Sequence, residues 1–202
     1  MRLALVAAAA GQAHAAIVYT FEPPQSLPLQ ITPLLNVAPN SGPASFLANF
    51  TSAPTSAGFQ IAPFPANGLF SGNSLTEPFG VTGNTLSISF NQPVFSVDLA
   101  FATNGPGSLQ LTSPVGGVTV TSTAQPGPGV FPGGTLSFSS ATPFSTFSLA
   151  ALGPAGGRLP EFGIDNLTLT EAAAIPEPST FAMVGLMTVA GLGYAWRRRR
   201  AA

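Results

Sequence analysis

Residues 85–102 read TLSISFNQPVFSVDLAFA, and this stretch decides the fold class. Polar and apolar residues alternate on both sides of Pro93, as they do in a strand that buries one face. The apolar positions are Leu86, Ile88 and Phe90 before the proline and Phe95, Val97, Leu99 and Phe101 after it. Asp98 belongs to the opposite face. Because proline cannot donate a hydrogen bond inside a sheet, the pattern predicts two strand segments joined at a kink or an edge position.

A second stretch, residues 135–152, is similar to the first at an offset of 50 positions and reads TLSFSSATPFSTFSLAAL. The identical pairs are Thr85/Thr135, Leu86/Leu136, Ser87/Ser137, Ser89/Ser139, Pro93/Pro143, Leu99/Leu149 and Ala100/Ala150. Two interpretations are open: an internal repeat, or strands that look alike because both are rich in serine, threonine and phenylalanine. Either one predicts strand, proline break and strand in each copy.

The rest of the region from 16 to 170 also favours short strands. Its longest stretch without proline or glycine is 94–104, 11 residues, which leaves little room for helices of average length. Further alternating positions predict an opening strand and two more short strands: Ile17, Tyr19 and Phe21, then Phe59 and Ile61, then Val118 and Val120. Many short strands between glycine- and proline-rich turns predict an all-β domain over residues 16–170, built as a β-sandwich or a barrel.

The N-terminus has the pattern of a signal peptide. Arg2 is followed by an apolar run over residues 3–10 and then by Ala13-His14-Ala15, which has small residues on both sides of the middle position, as a cleavage site does. We predict residues 1–15 as the signal peptide, with Ala13 and Ala15 as the cleavage-site residues. A buried N-terminal helix is the alternative.

The C-terminal segment has the pattern of a membrane anchor. Residues 181–196 contain no charged side chain and would span about 24 Å as a helix, short of a hydrocarbon core of about 30 Å. Four arginines follow directly: Arg197, Arg198, Arg199 and Arg200. Such clusters stop transfer and stay on the cytoplasmic side. We predict a transmembrane helix over 181–196 and a basic cytoplasmic tail over 197–202. A nucleic-acid-binding patch is the alternative interpretation of the arginines.

The tripeptide Pro176-Glu177-Pro178 precedes this helix, in a predicted linker over residues 171–180. Two prolines disfavour helix, so we expect the tripeptide to be extended and accessible next to the membrane. The order of Pro-Glu-Pro, apolar helix and arginine cluster resembles the PEP-CTERM sorting signal over residues 175–202. The resemblance implies export in a Gram-negative bacterium, anchoring in the inner membrane, and removal of the tail by an exosortase that recognises Pro176, Glu177 and Pro178. The product would lie at the cell surface or in the extracellular matrix.

The two ends of the β domain resemble those of jelly-roll sandwiches of the carbohydrate-binding-module type. IVYTFEP, residues 17–23, is similar to their first strand, and FGIDNLTLT, residues 162–170, is similar to their last. The resemblance implies that the two terminal strands pair and that a structural calcium lies beside them, with Glu22 and Asp165 as ligands. A solvated glutamate and an aspartate in a turn are the alternative. The apolar positions change phase within the last stretch, which predicts a bulge at Asp165-Asn166.

The composition argues against several kinds of chemistry. The chain has 202 residues, no cysteine and a formal net charge of −1, which argues against disulfides, thiolate sites and nucleic-acid partners. The predicted processed domain also has no histidine and no lysine, so catalysis by a serine-histidine pair lacks its base. A glycosidase with two carboxylates is the enzymatic alternative, drawn from Glu22, Glu77, Asp98, Glu161 and Asp165. We predict no catalytic residues and no cofactor other than the structural calcium.

Two kinds of binding role are consistent with the sequence. One is a structural or interaction role in the extracellular matrix, and the other is a lectin-like module that binds extracellular polysaccharide. Trp196 lies in the predicted anchor and Tyr19 is the one tyrosine of the domain, so sugar platforms would have to be phenylalanines, which lack a polar group. We therefore predict the structural role, with carbohydrate binding as the alternative. Without removal of the tail, the protein would be a membrane-anchored sandwich.

Overall fold

The computed structural model describes residues 16–22, 33–53, 58–64, 68–77, 83–127, 129–171 and 188. The described part of residues 1–172 is all-β, and every strand pair in it is antiparallel. The strands are β1 (Ala16–Tyr19), β2 (Leu34–Val37), β3 (Ala48–Ala53), β4 (Gln60–Pro63), β5 (Asn73–Thr76), β6 (Thr85–Thr103), β7 (Ser108–Ser113), β8 (Gly116–Thr121), β9 (Gly133–Leu152) and β10 (Phe162–Glu171). In the second unit, residues 173–202, the one described residue is Thr188, which is helical.

The strand order is β4-β5-β10-β6-β9-β7-β8, with β1 added on β10, β3 on β6, and β2 on β3. The long strands β6 and β9, which carry the two similar stretches of sequence, lie side by side at the centre. β1 pairs with β10 from Ala16↔Thr170 to Tyr19↔Leu167, which confirms the predicted pairing of the terminal strands.

Both long strands are irregular where the sequence places their prolines. The register between β6 and β9 shifts between Ser89 and Val94, an interval that contains Pro93, and again between Val94 and Ser96. The predicted proline break is therefore confirmed, although the strand continues through it. On both sides of the break the pairing is symmetric, with Leu86 opposite Leu149 and Leu99 opposite Leu136. The offset of 50 positions matches Leu86 with Leu136 and Leu99 with Leu149 in the sequence. The two strands are therefore related to each other by an approximate two-fold axis near the prolines.

The core lies on the apolar faces that alternation predicted, with one correction. Leu86, Ile88, Val97, Leu99 and Phe101 are all buried in one cluster. Phe95 was also expected in the core but is half-buried, and its neighbour Val94 is buried instead. The register shift between Val94 and Ser96 explains this exchange, because one extra residue reverses the side on which a side chain lies.

The shorter predicted strands are confirmed with small changes in extent. Ile17 and Tyr19 lie in β1, Ile61 lies in β4, and Val118 and Val120 lie in β8. The structure adds β2, β3, β5 and β7, which the sequence analysis did not predict.

The predicted targeting segments fall outside the described residues. This applies to the signal peptide 1–15 with Ala13 and Ala15, to residues 172–180 with Pro176, Glu177 and Pro178, and to the tail with Arg197, Arg198, Arg199 and Arg200. The predicted transmembrane helix 181–196 also lies outside them, apart from Thr188. Among the described residues, no helix has the length and apolar character that a membrane span requires.

Candidate functional site

The pairing of β1 with β10 brings Glu22 and Asp165 to the same side of the domain. Glu22 follows the end of β1, and Asp165 lies within β10 where that strand pairs with β6. β5 lies along the other edge of this part of β10, with Leu75 opposite Ile164. The residues that lead into β5 can therefore contact both carboxylates.

The segment Ser71–Asn73 joins the two carboxylates through its backbone. The N–H of Ser71 donates to Oδ2 of Asp165 at 3.1 Å, and the N–H of Asn73 donates to Oε1 of Glu22 at 2.5 Å. Gly72 between them has a φ of +82°, and a Cβ built there would overlap the carboxylate of Glu22. Glycine is thus required both by the backbone conformation and by the close approach of the side chain.

The predicted bulge at Asp165-Asn166 is confirmed and orients the aspartate. The register between β10 and β6 shifts between Asp165 and Thr168, and Asn166 has a φ of +52°. The backbone N–H of Asn166 donates to Oδ1 of Asp165 at 2.7 Å, and its side-chain amide donates to Oδ2 at 3.0 Å. The bulge also changes the phase of β10, so that Ile164 and Leu167 can both be buried.

The electrostatics of this pair are those of two acids without a counter-charge. Asp165 is fully buried, and burial raises its pKa from 3.8 to about 6. Hydrogen bonds from Ser71 and Asn166 lower this pKa, and the charge of Glu22 raises it. Among the described residues the one basic side chain is Arg158, and its charge influences the pKa of Glu77 instead.

The two side chains of this pair are carboxylates, and calcium prefers oxygen ligands. The described residues contain no group of three or more aspartate, glutamate, histidine or cysteine side chains that could hold a metal. Glu22 and Asp165 would therefore supply two ligands, and backbone carbonyls, amide oxygens and water would supply the others.

A second pair of acids consists of Glu77, which directly follows β5, and Glu161, which directly precedes β10. The N–H of Asn84 donates to Oε1 of Glu77 at 2.9 Å, and the N–H of Glu161 donates to Oε2 at 3.1 Å. Glu161 has a φ of +113°, and its Oε2 accepts a hydrogen bond from Nδ2 of Asn104 at 3.1 Å. The side chain of Glu77 therefore ties the start of β10 to the start of β6.

Burial perturbs the pKa values of both glutamates. It raises the pKa of Glu77 from 4.5 to about 7. Hydrogen bonds from Asn84 lower this pKa, the charge of Glu161 raises it, and the charge of Arg158 lowers it. Burial also raises the pKa of Glu161, against a hydrogen bond from Asn104. Near neutral pH, Glu77 is thus poised between its protonated and ionised forms.

These two glutamates line a pocket of about 270 Å³ that has an aromatic wall. The rings of Phe64 and Phe131 meet edge to face, with their centroids 5.0 Å apart. Thr76 and Gln60 complete the polar lining. The sequence analysis listed Glu77 and Glu161 among the acids but did not bring them together. The one local signal is a proline beside each of them, Pro78 and Pro160.

The comparison with protein families finds the PEP-CTERM protein-sorting motif at residues 174–200. The chain carries a PEP-CTERM sorting signal. The match spans the Pro-Glu-Pro tripeptide, the apolar segment and all four arginines, and it confirms the resemblance noted for residues 175–202. A signal of this type indicates an exported, exosortase-sorted protein.

Similarity to other proteins beyond this signal is weak. No curated protein matches the chain. The catalytic domain of a GH87 alpha-1,3-glucanase in complex with nigerose matches at 16% identity over 65% of this chain and 30% of its own, with a TM-score of 0.35. The corresponding unit from Streptomyces thermodiastaticus matches at 15% identity over 64% of this chain and 27% of its own, with a TM-score of 0.33.

A carbohydrate-binding module of family 29 matches at 10% identity over 77% of this chain and 88% of its own, with a TM-score of 0.36. The chain spans only about 30% of the length of the GH87 catalytic domain. With TM-scores this low, these likenesses support no conclusion about what the β domain binds or does.

Proposed function

We propose that this PEP-CTERM protein is an exported surface or matrix component whose β domain has a structural or interaction role without catalysis. The observation that carries the proposal is the sorting motif over residues 174–200. In this proposal, residues 1–15 direct export, the segment 181–196 holds the precursor in the inner membrane, and Arg197 to Arg200 keep the C-terminus cytoplasmic. An exosortase recognises Pro176, Glu177 and Pro178 and releases the domain to the cell surface or the extracellular matrix.

The processing step is tested in a host that contains the exosortase. Mass spectrometry of the recovered protein should show loss of residues 1–15 and of everything beyond the Pro176-Glu177-Pro178 region. The variant Glu177→Gln should accumulate as the uncleaved precursor. Glu171→Gln, a change of the same type at the end of β10 and outside the matched motif, should be processed like the wild type. A wild-type protein that ends intact at Ala202 in that host would contradict the proposal.

The β domain is best interpreted as a jelly-roll-like sandwich that serves as a stable exported module. Its terminal strands pair, and one core cluster collects residues from strands along the whole order. Both oxygens of Glu77 accept backbone hydrogen bonds, an arrangement that suits a structural carboxylate. Sedimentation with insoluble polysaccharides separates this role from the lectin-like alternative, because only the latter predicts retention of the protein by a neutral glycan.

We also propose that Glu22 and Asp165 hold a structural calcium ion. Asp165 is fully buried and the half-buried Glu22 lies close enough to raise its pKa. The one basic side chain of the described residues, Arg158, does not act on the pKa of Asp165, and a buried charge is unfavourable unless it is compensated. A calcium ion would compensate both charges and join β1, β10 and the segment that leads into β5. Its expected effect is on stability rather than on any reaction.

A further inference from the structure

The pocket beside Glu77 and Glu161 presents hydrogen-bond acceptors to whatever enters it. Both oxygens of Glu77 are occupied by backbone N–H groups. Oε2 of Glu161 accepts from Asn104, whereas Oε1 receives no hydrogen bond from the described residues. Glu161 is only 6% exposed and lines the pocket. Oε1 is therefore open to a hydrogen bond from a molecule in the pocket, so the pocket favours a ligand that donates hydrogen bonds.

The charge of the pocket favours a cation over a neutral donor. Two carboxylates line it, and Arg158, the one basic side chain of the described residues, is exposed and acts on the pKa of Glu77 more weakly than burial or Asn84 does. A neutral sugar could supply hydroxyl donors but would leave the negative charge uncompensated in a partly dehydrated site.

The shape and walls of the pocket favour an organic cation over a metal ion. A volume of about 270 Å³ approaches that of small-molecule sites and is far more than one ion fills. Phe64 and Phe131 offer no oxygen ligands, whereas aromatic faces attract ammonium groups.

We propose that this pocket binds the ammonium group of a small primary amine, with Glu161 as the direct charge partner and Phe64 and Phe131 as the aromatic wall. This goes beyond the sorting function, which it does not need. It is also separate from the calcium proposal, because Glu22 and Asp165 take no part in lining this pocket.

The test uses the full-length chain in neutral detergent and a pair of probes that differ mainly in charge, propylammonium and 1-propanol. NMR titration near neutral pH should show saturable shifts of the ring signals of Phe64 and Phe131 with propylammonium, with a dissociation constant on the order of millimolar, as few contacts allow. The same signals should not saturate with 1-propanol. Equal responses to both probes would overturn the proposal, because they would show a merely apolar pocket.

Variants then assign the charge partner. Glu161→Gln should weaken binding of propylammonium by about tenfold or more, since it removes about 1.4 kcal/mol or more of interaction. Glu171→Gln, a matched change at a glutamate that does not line the pocket, should bind as the wild type does. Arg158→Gln should bind two- to threefold more tightly, because it removes the nearest competing positive charge. An affinity in a folded Glu161→Gln variant that equals the wild type would overturn the proposal even if propylammonium binds.

The source of the ammonium group is distinguished by two further probes, glucosamine and lysine amide. Whichever binds more tightly than propylammonium identifies what surrounds the ammonium group in the natural ligand, an amino sugar or a lysine side chain. Loss of binding in Glu161→Gln with normal C-terminal processing would show that the pocket and the sorting signal act independently. A processing failure with normal amine binding would contradict the sorting proposal alone.

Discussion

Gly72 is the residue on which the contact between Glu22 and the segment before β5 depends. Its φ of +82° and the closeness of the Glu22 carboxylate both oppose a side chain. We expect Gly72→Ala to lower the free energy of unfolding by about 1–2 kcal/mol from the positive φ and by about 1–3 kcal/mol more from the clash. Urea unfolding measures the total.

Gly68 provides the control for this prediction. It has a φ of +77°, but nothing lies within 4 Å of a Cβ built there, so Gly68→Ala should show the backbone cost alone. The double variant Glu22→Ala/Gly72→Ala should lose less than the sum of its single changes, because the clash is removed. Equal losses for Gly68→Ala and Gly72→Ala would mean that the Glu22 carboxylate does not approach position 72.

Glu77 makes stability depend on pH in a direction opposite to that of a salt-bridged acid. Its pKa is raised from 4.5 to about 7, and that of Asp165 from 3.8 to about 6. At pH values between the ordinary and the raised pKa of each acid, the folded protein therefore binds more protons than the unfolded chain. Stability decreases as the pH rises through this range. We expect the urea midpoint, measured with a chelator present, to be lower at about pH 8 than at about pH 5.

The variant Glu77→Gln assigns this effect. It lacks the titrating proton, so its midpoint should fall less steeply over the same interval, although it is less stable overall because it offers one acceptor fewer to Asn84 and Glu161. The groups that face Glu77 are Glu161 and Arg158, and Arg158→Gln should steepen the decrease. A wild-type midpoint that rises between these pH values would show that Glu77 is not buried as the structure has it.

At the scale of the strand, the bulge in β10 controls both the core and the calcium site. Asn166 has a φ of +52° and donates two hydrogen bonds to Asp165. We expect Asn166→Ala to lower the free energy of unfolding by about 1–2 kcal/mol, because alanine tolerates this conformation poorly. Asn166→Gly should lose less, since glycine accepts it. The backbone explanation fails if the glycine variant is the less stable of the two in urea unfolding.

The strands that sequence predicted are those in which one face is apolar and the other polar. β6 and the bulge of β10 follow from alternation and from its change of phase. β5 could not be found in this way, because it lies between β4 and β10 and buries Ser74 and Thr76 along with Leu75. Ser74 is accommodated by its hydrogen bond to the carbonyl of Ala62. Alternation therefore identifies strands at a boundary between core and solvent, not polar strands that are covered on both faces.

The candidate sites show the same limit at a longer range. Glu22 and Asp165 were placed together through the resemblance of the two terminal strands. Glu77 and the backbone of Glu161, 84 positions apart, meet through pairing of β5 with β10, which no local pattern specifies. Which acids are buried together depends on which strands are neighbours, and strand order is a property of the whole sheet.

Over the whole molecule, the described residues carry an excess of negative charge. Six carboxylates, Glu22, Glu77, Asp98, Glu161, Asp165 and Glu171, face the single basic side chain Arg158. Repulsion among like charges opposes the compact state, and four of these acids lie in two pairs. Added salt should therefore stabilise the domain by screening, which means that a specific effect of calcium has to be measured against an equal ionic strength of sodium chloride.

Calcium should raise the Tm of the full-length chain beyond this salt effect. At a concentration about 100 times the dissociation constant, binding to the folded state alone contributes about 2.7 kcal/mol, which corresponds to about 5–10 °C for a domain of this size. Asp165→Asn should abolish the difference between calcium and chelator, whereas Glu161→Gln should retain it, because Glu161 lies in the other pair. An unchanged wild-type Tm between millimolar calcium and excess chelator would contradict the calcium site. In that case a proton on Asp165, which burial favours by raising the pKa of this group, would reduce the charge of the pair, and stability would depend on pH and not on calcium.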